Sequence, residues 1–286
     1  MSVETAPPGE QAMSFFRTAT VTAAQAEAGQ APQLLSRMRG GEIEGIIVKR
    51  VYDRVTCEAI CAELEAGRHG LIRTDFPAKF AAFFYGINLN LTHPDLKEYF
   101  AEVPAFREKL SRLFPGGLDL EQRVTRIFSA LDQDQAYAAA PGPNSALNYM
   151  FTTLRAHLPG GYIPPHFDDE QAARPSYRHL MTLIKGSLFS FVLAFSQAEG
   201  GGALEIFNLR PDASGQRIAV GGRSAPLPDL ASVESVSFRL DPGDMITFNS
   251  GRYLHRVTPV TGGKTRWTAC SFMAESRTPG RIYCWG

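Results

Sequence analysis

The pattern of apolar residues changes abruptly after Ser145, and that change restricts the folds open to this chain more than any other feature. Seven short runs rich in β-branched and aromatic residues follow it: "YMFTTLRAHL", "LFSFVLAFS", "GALEIFNL", "SVSFRL", "DMITFN", "YLHRVTPV" and "TRWTACSFMAE". Turn signals punctuate them, with "PGG" at 159–161, "EGGG" at 199–202, "DPGD" at 241–244 and "TGGK" at 261–264. Many short strands without a helical pattern between them predict a sandwich or barrel, because parallel βαβ pairing needs a crossover of a dozen residues or more.

Helical periodicity lies in the first half. "GIIVKRVY" is a short β-type run ending near Asp53, and Thr56 is then a candidate cap for "CEAICAELEAG", which stops at Gly67. "PDLKEYFAEVPAFREKLSRLF" is predicted to be interrupted at Pro104 and stopped by "PGG" at 115–117, and "DLEQRVTRIFSAL" is a further helix. The expected fold is therefore α+β: a double-stranded β-helix, or cupin-like jelly roll, over 146–286, supported by a mainly helical segment over 42–145. Together they form one domain, 42–286. Residues 1–41 read as a mobile arm with one short helix, 132–145 as a linker, and 210–232 as a long loop acting as a lid or merely mobile.

Composition narrows the function. Lys and Arg together number 29, as do Asp and Glu, so the formal net charge is zero. A neutral chain has no global field to draw nucleic acid or an anionic membrane. No apolar run reaches the roughly 18 residues of a membrane-crossing helix, and the opening residues lack the pattern of a secretory signal. A hydrophobic fraction of 44% is enough for a core. Cys57, Cys61, Cys270 and Cys284 show no Cys-x-x-Cys spacing and read as reduced, buried thiols. The expectation is a cytoplasmic enzyme or small-molecule binder, with no nucleic-acid or membrane partner.

Two segments carry candidate chemistry. In "IPPHFDDE", His166 and Asp168 are two apart, so an extended chain projects both to one side and Asp169 to the other. In "SGRYLHRVTPV", His255 lies in a β-type run 89 residues later. Ten residues separate it from Arg266, and Thr268 shares a strand face with Arg266. Taken singly these are ordinary: a strand-end histidine, a turn-forming aspartate, a surface cation. Jointly they predict a metal site. Two histidines and one carboxylate on one face of an ion leave open positions, the arrangement of non-haem Fe(II) oxygenases. A buried arginine with a nearby hydroxyl suits the far carboxylate of a dicarboxylic co-substrate.

The remaining candidates are less specific. His157 reads as a core residue or a support for the ligands, and His179 as a packed strand-entry residue or a substrate contact. His69 and His93 read as solvated, and Asp169 and Glu170 as surface charges. The direction of Arg155 is open, because the glycines before His166 permit a bulge. The aromatic stretch "FAAFFYGINLN" and strand residues such as Phe191 are expected to line the pocket mouth.

The order His-Phe-Asp, then His, then Arg-x-Thr resembles the Fe(II)/2-oxoglutarate-dependent oxygenases. "GIIVKRVY", "PDLKEYFAEVPAFR", "EQRVTRIFSAL", "EGGGALEIF", "HRVTPV" and the terminal "IYCWG" are similar to the freestanding aliphatic halogenases of indole alkaloid biosynthesis (the welwitindolinone type) and their hydroxylase relatives. That resemblance covers most of 44–286. It implies Fe(II) on His166, Asp168 and His255, the C5 carboxylate of 2-oxoglutarate on Arg266 helped by Thr268, and Phe80, Ala81 and Ile163 beside the organic substrate. It also implies consumption of O2 and release of succinate and CO2. One position departs from the halogenases, which carry glycine where this chain has Asp168 and place chloride in the vacated position on iron. The carboxylate therefore implies hydroxylation of an unactivated C–H in a small amino-acid-derived, alkaloid or terpenoid metabolite. Desaturation or cyclisation at the same iron is an alternative, as is a metal-binding jelly-roll sensor without turnover. Arg266 speaks against the sensor, which has no evident need of a co-substrate anchor.

Overall fold

The computed structural model describes residues 9–13, 15–114, 119–133, 135–211 and 228–286. The strands are β1 (Gly9–Met13), β2 (Phe16–Thr22), β3 (Gly45–Lys49), β4 (Arg73–Asp75), β5 (Ala82–Tyr85), β6 (Ala136–Ala139), β7 (Thr153–His157) and β8 (Ile163–His166). They continue as β9 (Ile184–Ala194), β10 (Gly200–Gly201), β11 (Leu204–Phe207), β12 (Ser235–Phe238), β13 (Met245–Phe248), β14 (His255–Val257), β15 (Val260–Thr261), β16 (Arg266–Ser276) and β17 (Arg281–Trp285). The helices are α1 (Ala23–Glu27), α2 (Leu34–Gly40), α3 (Arg54–Ala66), α4 (Lys97–Ser111), α5 (Leu120–Leu131) and α6 (Arg178–Leu183).

Two sheets face each other. The larger runs β1-β2-β3-β13-β9-β16-β7-β5-β4, with β17 also paired to β16 and β6 to β17; the smaller runs β12-β11-β14-β8. A compact apolar layer fills the gap, with Ile206, Val236 and Phe238 of the small sheet against Phe16, Ile246 and Phe248 of the large one. The opposite face of the large sheet carries the helices. In α5 the buried positions Leu120, Val124, Ile127, Phe128 and Leu131 recur at helical spacing, and the Phe128 ring meets Phe191 of β9 at 5.7 Å. This is the expected jelly roll buttressed by helices. No helix among the described residues is long and apolar enough to cross a membrane.

All seven runs read after Ser145 form strands, whereas the expected divisions at 41 and 145 do not separate structural units. The predicted mobile arm is folded from Phe16 onward: β2 pairs in parallel with β3, and Phe16 and Ala19 are fully buried. Its alanine-rich text hides a strand and a capping box in which the Thr22 hydroxyl accepts from the Gln25 N–H. The predicted linker 132–145 contains β6, which pairs in parallel with the C-terminal β17. The supposedly helical segment also supplies β3, β4 and β5 to the large sheet.

Two local expectations are corrected. Asp53, not Thr56, caps α3, its carboxylate accepting from the Thr56 N–H at 2.7 Å. Helix α4 runs through Pro104 without a break. Pro104 is on the exposed side, where the carbonyl it leaves unpaired can bond water. Most of the predicted 210–232 loop lies outside the described residues; within it, Leu230–Ser232 forms one 3-10 turn. The four cysteines are free, as expected, and burial pushes the Cys57 and Cys61 thiols up to about 12.

Candidate metal centre

Strands β8 and β14 pair antiparallel in the small sheet, with His166 directly opposite His255. Directly opposed residues on one face of a ladder lie side by side, and here the ring centroids are 4.3 Å apart. Each imidazole meets a backbone carbonyl two residues upstream. His166 Nδ1 is 2.8 Å from the Pro164 oxygen and His255 Nδ1 is 3.0 Å from the Tyr253 oxygen. A carbonyl only accepts, so each Nδ1 carries a proton, and in the neutral ring Nε2 is the nitrogen that presents a lone pair.

Asp168 is not on the strand. The chain leaves β8 after His166 and turns into the short 3-10 segment Asp168–Ala173, which swings the carboxylate back toward the rings. Simple alternation selected the correct aspartate, although the backbone route differs. Asp168 Oδ1 lies 3.4 Å from His166 Nε2 and 3.7 Å from His255 Nε2. Donors held about 2.1 Å from one ion at right angles are roughly 3 Å apart, so a small inward adjustment brings all three onto a divalent metal. The three ligand atoms lie within 4.8 Å of one another.

The electrostatics suit a cation. Burial alone would raise the Asp168 carboxyl, but His255 and then His166 outweigh it and hold it well below the usual carboxylate range. Burial, reinforced by His166, takes His255 down to about 4 and leaves it neutral near pH 7. Asp168 Oδ1 also accepts from Gln171 Nε2 at 3.2 Å, and the Tyr177 hydroxyl donates to the Gln171 amide oxygen. Gln171 and Tyr177 were not foreseen; the signal for Gln171 was its position three after Asp168, one 3-10 turn away.

The other end of the cavity is built by β16. Arg266 opens that strand opposite His157 of β7 and is 8% exposed, while Thr268 is fully buried. Burial brings the Arg266 guanidinium down to about 10, still charged at pH 7. Its Nη1 donates toward His157 Nδ1 at 3.4 Å, and burial followed by Arg266 pushes His157 well below the ordinary histidine range. His157 is thus a buried neutral support, one of the two readings held for it. Gly202 makes room: with φ at 63°, a Cβ there would stand 2.9 Å from Arg266 Cδ. The "EGGG" turn thus serves the site as well as the chain reversal.

The substrate-side expectations divide. Ile163 lines the cavity. Phe191 is also among the residues lining the cavity, while its ring packs on Phe128 and Phe151 at 5.7 and 6.2 Å. Strand alternation assigns the inner face to Ser190 and Val192. Phe80 packs on Tyr162 at 5.4 Å, and the Ala81 oxygen accepts from the Leu158 N–H, so both brace the hairpin before β8. His179 sits on α6 rather than at a strand entry, with Nδ1 3.2 Å from the Tyr149 hydroxyl, away from the cavity. His93 is exposed as expected, but His69 packs against Tyr85 with ring centroids 4.3 Å apart. Asp169 is no free surface charge: it accepts from the Ser187 hydroxyl and the Leu188 N–H, tying the turn to β9. Glu170 accepts from the Phe167 N–H. A larger cavity, about 440 Å³, lies between α4, α5 and residues 146–152, but the described residues around it supply no cluster of metal ligands.

Comparison with known proteins agrees with this geometry. Residues 18–286 match the model of the carrier-protein-independent halogenase WelO5 family. The chain belongs to that family. Among solved structures, an N-substituted L-amino acid dioxygenase from Burkholderia ambifaria AMMD in complex with alpha-KG shares the fold, with TM-score 0.53, 14% identity and 90% of each chain covered. A second structure of an N-substituted L-amino acid dioxygenase from that organism gives TM-score 0.53 at 15% identity over 90% of each chain. No curated protein matches the sequence. The expected oxygenase-type jelly roll is thereby shown, and the WelO5 family member keeps an aspartate between its histidines.

Proposed function

We propose that this protein is an Fe(II)- and 2-oxoglutarate-dependent dioxygenase that hydroxylates an unactivated C–H bond of a small organic metabolite. The observation that carries the reading is the convergence of two Nε2 lone pairs and the Asp168 carboxylate at one end of a cavity whose other end is the buried Arg266. His166, Asp168 and His255 would hold the iron. Bound there, it supplies the activation of O2, coupled to oxidative decarboxylation of 2-oxoglutarate to succinate and CO2.

The chain's own residues position and shield. The guanidinium of Arg266 offers two parallel N–H donors to the C5 carboxylate, and the Thr268 hydroxyl stands beside it on the same face. The Nδ1 bonds to Pro164 and Tyr253 fix both imidazole tautomers. Phe248, with its ring 5.1 Å from that of His255, and Phe272 wall off water. Ile163 stands on the substrate side, with Phe80 and Ala81 bracing the hairpin that leads to it. Asp168 supports hydroxylation over halogenation, since a carboxylate would take the position that chloride requires.

The test is succinate formation with Fe(II), 2-oxoglutarate and O2, with substrates screened by mass spectrometry for a gain of one oxygen. His166→Ala and His255→Ala are expected to abolish iron-dependent succinate release. A chlorinated product from the wild-type protein in chloride buffer would overturn the hydroxylase assignment.

A further inference from the structure

Arg155, half-buried, is the one charged side chain among the described residues lining the cavity that the proposed reaction leaves unused. It lies on β7 directly opposite Thr268 of β16 and lines the same cavity as His166, Asp168, His255 and Arg266. Its guanidinium carbon is 5.2 Å from the Phe84 ring centroid and 5.4 Å from that of Phe272. The rings engage the face of a guanidinium and leave the donors on its edge available. Its Nε is buried with no hydrogen-bond partner among the described residues. Asp168 is the one acid among the described residues lining the cavity, and the two histidines and Gln171 already engage it.

A half-buried guanidinium set against aromatic rings with its Nε unpartnered is a poor structural device, because an apolar side chain of similar volume would fill the same space without the desolvation cost. Its value lies in the donors it keeps free. Charge counting gives the same result. A divalent metal, Arg266 and Arg155 bring four positive charges; Asp168 and a 2-oxoglutarate dianion bring three negative ones. Both carboxylates of the co-substrate already have partners, Arg266 for one and the metal for the other. One cation lining the cavity remains without an anion.

We propose that Arg155 receives the carboxylate of the organic substrate, and that the substrate is therefore a small acid, held with its carboxylate inside the cavity that the metal ligands line and its apolar part among the aromatic walls. This rests on the dioxygenase reading above and narrows its substrate class.

The test uses full-length protein loaded with redox-inert Ni(II) and 2-oxoglutarate, with binding read by thermal shift and calorimetry. The probes are aryl-substituted and straight-chain carboxylic acids of four to ten carbons, each matched to its primary amide. Acids are expected to bind the wild-type protein at least tenfold more tightly than their amides. Arg155→Met is expected to erase that preference while leaving amide binding unchanged, and Arg155→Lys to restore part of it, since lysine keeps the charge but not the planar fork. Affinity of the Ni(II) protein for 2-oxoglutarate itself should change less than threefold in Arg155→Met. Melting curves of both variants report folding. Failure of wild-type protein to bind 2-oxoglutarate would overturn the dioxygenase reading. Normal 2-oxoglutarate binding with no acid favoured over its amide would overturn only the role of Arg155. A tenfold or greater loss of 2-oxoglutarate affinity in Arg155→Met would also overturn it, by assigning the residue to the co-substrate.

Discussion

Replacing Gly202 by alanine tests the Arg266 anchor without touching it. Gly202 has φ of 63°, a region in which an L side chain costs about 1–2 kcal/mol. The new Cβ would also stand 2.9 Å from Arg266 Cδ, 3.2 Å from Val260 Cγ2 and 3.4 Å from the Ala198 Cβ. Arg266 Cδ is the middle of a buried side chain, so relieving the contact drags the guanidinium with it. A hydrogen bond to a charged group is worth about 1.5–3 kcal/mol, and losing one from a two-bond fork weakens binding by roughly 10- to 150-fold. The expected result is a 2-oxoglutarate Kd at least about tenfold higher in the Ni(II)-loaded protein, measured by calorimetry. The melting temperature should fall by roughly 2–8 °C, at about 2–4 °C per kcal/mol for a chain of this size. Gly263→Ala is the control: nothing stands within 4 Å of its Cβ, and both measurements should stay at the wild-type values. If Gly202→Ala melts lower yet binds 2-oxoglutarate like wild type, Arg266 is not the anchor. If neither measurement moves, the steric reasoning itself is wrong.

Three further outcomes are expected. Gln171→Leu leaves the Tyr177 hydroxyl and one Asp168 lone pair without their partner, and metal affinity should drop about 10- to 100-fold in chelator competition; unchanged affinity removes Gln171 from the support of the ligand. Asp168→Gly deletes the one anionic ligand, so metal binding and succinate release should both fall at least about tenfold, and wild-type values for both would disprove the ligand assignment. His157 stays neutral in the fold while its unfolded counterpart protonates as the pH drops through 6.5. The unfolded state then holds more protons and stability is lost toward acid, at up to about 1.4 kcal/mol per pH unit. His157→Gln keeps an acceptor for Arg266 and should flatten the urea-midpoint profile between pH 7 and 5; an unaltered slope would show that other groups carry the acid sensitivity.

Legibility differed by scale. The strands after Ser145 were readable because each carries its own apolar run and turn, and α5 because Asp119 and the spacing of Leu120, Val124 and Ile127 announce it locally. Strands β2 and β6 were not, because their texts are rich in alanine and threonine or tyrosine. They are strands because parallel partners, β3 and β17, lie far away in the chain. The same divide runs through the site. His166, Asp168, His255, Arg266 and Thr268 were named from spacing, whereas the packing of the Phe191 ring on Phe128 and Phe151 was not readable because strand phase was unknown.

By itself the sequence determined the chemistry available: two imidazoles, a carboxylate between them, and an arginine eleven residues past the second histidine. Side-chain type and local spacing are properties of the text. Tertiary structure alone decided which polar atoms are left without partners. Pairing β7 with β16 placed Arg155 on the cavity that the metal ligands also line, and the turn after His166 put Gln171 against Asp168. Burial and satisfaction depend on what packs opposite, and residues more than a hundred positions apart decide that.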